Sequence, residues 1–197
     1  MHRIYAALIE IAAALVFIIP LFVLYGKYIL HDLKKTLIYI VLGSYFVSVL
    51  SLVGFPSIDS MKIDFTINVI PFVDMISDFV NACLNVLLFV PLGIFLPVVW
   101  DKYRNIKKTM FVALCITVGI ELSQIFTFRT TDINDVITNA TGTLIGYLIA
   151  KGVTQNFNKY VKSNANSKEF YIIFGMVVII MFLLQPFVSS LLWETVL

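Results

Sequence analysis

The segment ELSQIFTFRTTDINDVITNATGTLIG, residues 121–146, places ionisable and amide side chains where two long apolar runs of the chain meet. These side chains are Glu121 and Gln124 at the end of the first run, and Arg129, Asp132, Asp135 and Asn139 at the start of the second. Such groups are costly at membrane depth, and where they occur they usually mark a functional site. The segment therefore predicts two helices joined by a short turn, with the functional residues beside that turn.

The composition of the whole chain is that of an integral membrane protein. Its 197 residues are 60% hydrophobic and 13% charged, and the mean hydropathy is +0.96. Soluble domains are nearer 45–50% apolar and about 25% charged. The net charge of +2 comes without a basic stripe carrying interleaved aromatic residues, so we expect a lipid bilayer and no nucleic acid as the surroundings.

Runs of about 20 apolar residues predict an all-α, polytopic transmembrane bundle of six spanning helices, with five as the alternative. The runs are residues 4–30, 36–55, 78–100, 109–128, 132–150 and 170–193. We expect one membrane domain, residues 1–197, in which 152–169 form a polar cytoplasmic connector and 170–193 the C-terminal span. Residues 56–77 are too polar to span, so they are predicted to form an interfacial loop, extended or partly re-entrant.

Lysine and arginine residues favour one side of the predicted bundle. Eleven lie in the connections after the first, third and fifth spans, and three, Arg3, Lys62 and Arg129, lie on the other side. Because basic residues accumulate in cytoplasmic loops, both termini are predicted to be extracytoplasmic. The loop at 56–77 and the turn at Arg129 then face away from the cytoplasm.

The two cysteines lie in different apolar runs. Cys83 and Cys115 fall at different predicted depths, so a disulfide between them is not expected. We predict that both are buried and act as small hydrophobic residues.

Polar residues recur on single faces of three predicted helices. The sets are Asp78, Asn81 and Asn85, then Asp132, Asp135 and Asn139, both spaced i, i+3, i+7, and the pair Glu121 and Gln124. At 1.5 Å per residue, Glu121, Asn85 and Asn139 each lie about 10 Å below the outer edge, so we predict that they share one level. Helix capping by the three aspartates and helix-to-helix bonding by the asparagines are the alternative interpretations.

These residue types favour a site that handles a polar group and a hard cation. Glu121 and Asp135 are the predicted catalytic residues, with Glu121 as general base. Glu121, Asp132 and Asp135 are also predicted ligands for a divalent cation such as Mg²⁺, which prefers oxygen. Arg129 is the predicted anion clamp, and the remaining substrate-binding candidates are Asn81, Asn85, Gln124 and Asn139.

In these residues the chain resembles the VanZ family of bacterial membrane proteins. The resemblance runs through Asn68-Val-Ile-Pro71-Phe72, Asn81 and Asn85 leading to Phe89-x-Pro91-x-Gly93, Glu121-Leu-Ser-Gln124, and Arg129 to Gly146 with its G-x-x-x-G pair. It covers a core at residues 55–151. The resemblance implies a multi-pass protein of the bacterial plasma membrane, similar to those that raise resistance to teicoplanin and related lipoglycopeptides.

Three functions follow as hypotheses. The first is an outward-facing polar cleft that binds, and in one version modifies, a lipid-linked cell-wall component or an anionic lipid. The second is a transporter or flippase in which Glu121 relays a proton or cation. The third is a non-catalytic protein that shields the precursor or recruits a cell-wall enzyme through the loop at 56–77. Whether a reaction occurs, and the oligomeric state, stay open.

Overall fold

The structure, a computed structural model, describes residues 2–63, 65–72, 78–127, 129–157 and 166–196, with only the backbone at 2–4, 153–157 and 195–196. The described chain is almost entirely helical, which confirms the predicted all-α class. Its contacts divide it into two compact units. Unit 1 comprises Met1–Ile63 and Phe170–Leu197, and unit 2 comprises Asp64–Glu169.

The elements follow one another in the order expected from the apolar runs. The helices are α1 (His2–Tyr25), α2 (Leu33–Val53), α3 (Phe79–Val99), α4 (Ile106–Gln124), α5 (Ile133–Phe157), α6 (Ser167–Ile179) and α7 (Gln185–Val196). The π-helical turns Gly26–Leu30 and Ile180–Leu184 extend α1 and join α6 to α7. Two short strands, β1 (Ile67–Asn68) and β2 (Thr131–Asp132), pair in parallel.

Four segments of the described chain are long and apolar enough to cross a membrane. They are Tyr5–Leu30, Leu33–Val53, Phe79–Val99 and Ser167–Glu194. These segments agree with a multi-pass membrane protein and with four of the six predicted spans. The remaining two helices, α4 and α5, carry more charged, amide and hydroxyl side chains, so the count of six stays a prediction.

Unit 1 is held by large apolar side chains. The Phe46 ring packs edge-on against Phe170 and Phe174, with centroids 5.9 and 5.0 Å apart. Asp32 begins α2 by accepting hydrogen bonds from the main-chain N–H groups of Lys34 and Lys35, which satisfies donors that a helix start leaves unpaired. α2 ends at Gly54, whose φ of 73° is a left-handed conformation that glycine adopts without strain.

Unit 2 is built on a close parallel contact between α3 and α5. Gly142 and Gly146 of α5 lie against the backbone at Val86 and Val90, and Gly93 of α3 lies against the backbone at Thr143. A side chain at any of the three glycines would overlap that backbone. The predicted G-x-x-x-G surface therefore has its partner, α3, within the same chain.

The loop before α3 contains a short extended segment at Ile67–Asn68. Ile67 pairs with Thr131, Asn68 pairs with Asp132, and the Thr131 N–H donates to the Thr66 carbonyl at 3.1 Å. This pairing agrees with the extended form predicted for 56–77. Residues 64 and 73–77 of that loop, and 158–165 of the connector, lie outside the described residues.

Two expectations about unit 2 were wrong. The fourth helix ends at Gln124, four residues before the predicted end, because a turn at 125–127 closes it with bonds to the Ser123 and Gln124 carbonyls. Cys83 and Cys115 are both exposed rather than buried, because an apolar run does not show which face of a helix the rest of the protein covers. Both are free thiols, as expected.

Candidate functional site

The start of α5 anchors the loop that precedes α3. Asp132 Oδ1 accepts the Asn134 N–H at 2.8 Å, and Oδ2 accepts from Asn68 Nδ2 at 3.3 Å. The Asn134 side chain in turn accepts the Phe72 N–H at 2.7 Å. Asp132 and Asn134 therefore hold two points of the loop, and Phe72 is fixed there in a left-handed conformation with φ of 67°.

Glu121 is buried beneath the turn between α4 and α5. It is only 3% exposed, and its Oε2 accepts the main-chain N–H of Asp132 at 2.9 Å. The Thr131 hydroxyl donates to the Glu121 carbonyl at 3.0 Å. A buried carboxylate needs such donors, and these two bonds place β2 relative to the end of α4.

Asp135 and Asn85 join α5 to α3. Asn85 Nδ2 donates to Asp135 Oδ1 at 2.8 Å, and both side chains are only partly buried. Asn81, the other predicted binding residue of α3, is exposed and bonds to Asp78 in its own first turn. Among the predicted residues, the Asn85–Asp135 pair is thus the accessible link between the two helices.

Asn139 lies deeper, between α5 and α4. It is 2% exposed and donates to the Thr117 hydroxyl at 2.8 Å. Within the described part of the chain its Oδ1 has no hydrogen-bond partner. Gln124, one turn beyond Glu121 on α4, is also buried.

The three residues predicted to share a level make contacts at successive turns near the start of α5. Glu121 pairs with Asp132, Asn85 with Asp135 and Asn139 with Thr117. α4 ends three residues after Glu121. The shared level stays a prediction.

Acidic groups outnumber basic ones around this start of α5. Arg129 attracts the carboxylates of Glu121 and Asp135, Asp132 repels both, and Asp78 repels Asp135. We call Asn68, Asn85, Glu121, Arg129, Asp132 and Asp135 the polar cluster. The cluster combines three carboxylates, two amides and one guanidinium.

A protein-family model matches the part of the chain that contains the polar cluster. The family model described as VanZ/LLP1 matches residues 36–155, which include the polar cluster, α3, α4 and nearly all of α5. The chain belongs to the VanZ/LLP1 family. The match begins earlier than the predicted core at 55–151 and takes in α2 as well. No curated protein and no solved structure gave a significant match.

The carboxylates of this VanZ/LLP1 protein do not converge as metal ligands. In the described residues no group of three or more His, Cys, Asp or Glu side chains could hold a metal ion. Glu121, Asp132 and Asp135 each accept hydrogen bonds from amide or main-chain N–H groups instead. The predicted Mg²⁺ site gains no support from this geometry, and no step below depends on a metal.

The predicted site lacked three residues whose hydrogen bonds form or support the polar cluster. Asn68 and Asn134 hold the loop against α5, and Thr117 accepts from Asn139. Asn68 stands in the first motif of the family resemblance, and Asn134 stands between two predicted aspartates. That placement was a usable signal for both asparagines. Thr117, one turn before Glu121 in an otherwise apolar run, gave none.

Proposed function

We propose that the polar cluster binds the polar part of a membrane lipid or of a lipid-linked cell-wall component, and that this binding contributes to teicoplanin and lipoglycopeptide resistance. The observation that carries the proposal is the Asn85–Asp135 bond. It is a polar, partly exposed pair that joins two closely packed helices, one of which is apolar enough to span a membrane. Family membership supports the link to glycopeptide resistance.

The proposed location is the extracytoplasmic face of the bacterial plasma membrane. The excess of lysine and arginine in the opposite connections supports this orientation. Glycopeptide drugs act on cell-wall precursors outside the membrane, as the resemblance to the family implies, and a site on that face would meet the same precursors. Both termini would then be extracytoplasmic.

We assign different roles to the residues of the cluster. Asp135, Asn85 and Arg129 are the ligand-contacting residues, because their side chains are partly exposed. Glu121 and Asp132 are positioning residues, because their carboxylates accept bonds from the turn and the loop. A catalytic role of Glu121 or Asp135 stays a prediction, and binding is the activity that we propose.

The transporter and interaction hypotheses stay predictions as well. The buried hydroxyls nearer the far end of the helices, Thr109 and Thr143, donate to the main-chain carbonyls of Tyr103 and Asn139. Such local bonds satisfy the hydroxyls within the protein. They give the relay hypothesis no specific support.

Replacing Asp135 by alanine tests the proposed function. In a host that the wild-type chain protects, Asp135→Ala should return teicoplanin susceptibility to that of cells without the protein, because Asn85 loses its partner and the ligand loses a carboxylate. The measurement is the minimum inhibitory concentration, together with the amount of protein in the membrane fraction.

Asp101→Ala is the matched control for this experiment. Asp101 is exposed and ion-paired with Arg104 at 2.9 Å, away from the cluster, and exposed pairs contribute little to stability. Full resistance with Asp135→Ala at normal protein levels would contradict the proposal. Equal loss with Asp101→Ala would show that the effect does not belong to the cluster.

A further inference from the structure

An apolar groove runs along α3 beside the polar cluster. It has a volume of about 650 Å³, within the size range of small-molecule sites. Phe79, Cys83 and Leu87 line it at intervals of one helical turn, Phe72 of the loop closes one side, and Thr138 of α5 lies on the other. The groove therefore belongs to the same loop and helices as the cluster.

Of the described residues that line the groove, only Thr138 carries a polar oxygen or nitrogen in its side chain, and that hydroxyl is satisfied inside the protein. It donates to the main-chain carbonyls of Asn134 and Asp135 at 3.0 and 3.1 Å. An apolar occupant would therefore leave no polar side chain of the groove unpaired. Phe72, Phe79 and Leu87 are each about two-thirds exposed, so the groove opens at the surface of a helix that can span a membrane.

The groove lies within one helical turn of the Asn85–Asp135 pair. Ala82, another lining residue, precedes Asn85 by one turn of α3, and Thr138 follows Asp135 by one turn of α5. An amphiphile lying along α3 would thus meet a carboxylate at one end and an apolar channel beyond it. This arrangement matches a lipid with one chain in the groove and its head group at the cluster.

The charge of the cluster indicates which head group fits. Among the described residues that interact electrostatically with Asp135, Glu121, Asp132 and Asp78 are acids and Arg129 is a cation. A second anion placed there would be repelled, whereas an ammonium group would gain charge-assisted hydrogen bonds.

We propose that the groove holds one hydrocarbon chain of a membrane lipid whose ammonium head group is bound at Asp135. The inference rests on the proposed function and narrows it, since it names a head group that carries an ammonium rather than one that carries only negative charge. Specific binding of this kind differs from ordinary solvation by the bilayer because it depends on both ends of the lipid. The two ends can therefore be tested separately.

The test is native mass spectrometry of the full chain in detergent, titrated with phosphatidylethanolamine and with phosphatidylglycerol of identical acyl chains. The wild type should bind phosphatidylethanolamine about tenfold more tightly, the effect of one charge-assisted hydrogen bond. Cys83→Phe fills the groove and should weaken binding of both lipids about tenfold or more. Asp135→Asn should abolish the preference between the lipids while leaving binding through the groove.

Leu84→Phe is the matched control for the filled groove. Leu84 is on the same helix and exposed, and it does not line the groove, so lipid binding should equal that of the wild type. Equal binding by Cys83→Phe and Leu84→Phe would overturn the chain site, and phosphatidylglycerol binding as tightly as phosphatidylethanolamine would overturn the head-group assignment.

The teicoplanin susceptibility of the same variants separates this inference from the proposed function. If Cys83→Phe loses lipid and resistance together, both stand. If it loses lipid but keeps full resistance, the groove site stands and the proposed function fails. If it keeps lipid while Asp135→Ala loses resistance, the proposed function stands and the groove site fails.

Discussion

The two units of the chain bury different kinds of side chain. Of the eleven buried polar or charged side chains in the described residues, eight belong to unit 2. They are Thr109, Thr117, Glu121, Gln124, Asn134, Thr138, Asn139 and Thr143. Unit 1 buries mainly valine, alanine, isoleucine, phenylalanine and leucine, as in the cluster around Phe46.

The difference separates two ways of packing helices in an apolar surrounding. Lipid is as apolar as a leucine side chain, so association there depends on shape and on hydrogen bonds rather than on the exclusion of water. Unit 1 fills the space between helices with large rings, whereas unit 2 removes that space with glycines and uses hydrogen bonds at the end of the contact. A polar site could form in unit 2 because its buried carboxylate, Glu121, accepts a main-chain hydrogen bond and the buried Asn139 donates one to Thr117.

Truncating a ring in unit 1 should have the largest effect on stability. Phe46→Ala leaves a cavity beside Phe170 and Phe174 and should lower the free energy of unfolding by about 3–5 kcal/mol. The measurement is thermal unfolding in detergent followed by circular dichroism. Phe187→Ala is the control, because Phe187 is exposed in the same unit. Equal loss in both variants would contradict the contrast between the units.

Enlarging a glycine in unit 2 should be the next most damaging change. In Gly142→Ala the new Cβ would overlap the backbone at Val86, so the α3–α5 contact must open, at about 3 kcal/mol. Gly119→Ala is the matched control, since open space surrounds Gly119 on α4. Thermal unfolding followed by circular dichroism should show a lower free energy of unfolding for Gly142→Ala than for Gly119→Ala. A Gly142→Ala variant as stable as Gly119→Ala would show that the close contact is not needed.

Replacing the buried carboxylate of unit 2, Glu121, should have the smallest effect on stability of these three changes. The same position distinguishes a positioning role from a catalytic role. Glu121→Ala removes the acceptor of the Asp132 N–H and should lower the free energy of unfolding by about 2 kcal/mol. Glu121→Gln keeps an acceptor oxygen and should remain near the wild type. Resistance is then measured in Glu121→Gln: retained resistance confirms a positioning role, and its loss from a stable protein would instead support the predicted catalytic role.

Much of the fold could be predicted because the length of an apolar run and the polar residues that interrupt it act locally in the sequence. The helices of the described chain agree with the predicted runs to within a few residues at most ends. The exceptions follow from tertiary contacts. α4 stops at Gln124, where a turn follows, and Glu121 near its end bonds to Thr131 and Asp132 of β2, 10 and 11 residues away. No periodicity within one helix encodes such an end.

The sequence predicted residues of the candidate site but not the hydrogen bonds between them. Glu121, Asp135 and Asn85 stood out because they are costly in an apolar chain. Their partners were not predictable, since a spacing of i, i+3, i+7 gives the face of a helix and not its neighbour. The exposure of Cys83 was missed for the same reason, because an apolar run does not show which side faces another helix.

The sequence by itself determined the membrane class, the helical segments, the family and the identity of the costly polar residues, because these depend on composition and on short-range spacing. The tertiary structure decided that α3 and α5 run in parallel through glycine contacts. It also decided that Glu121 supports a turn, and that Asn85 and Asp135 meet beside a groove. These outcomes depend on which helix faces approach, and this is set by the fit of backbones and side chains across distant parts of the chain.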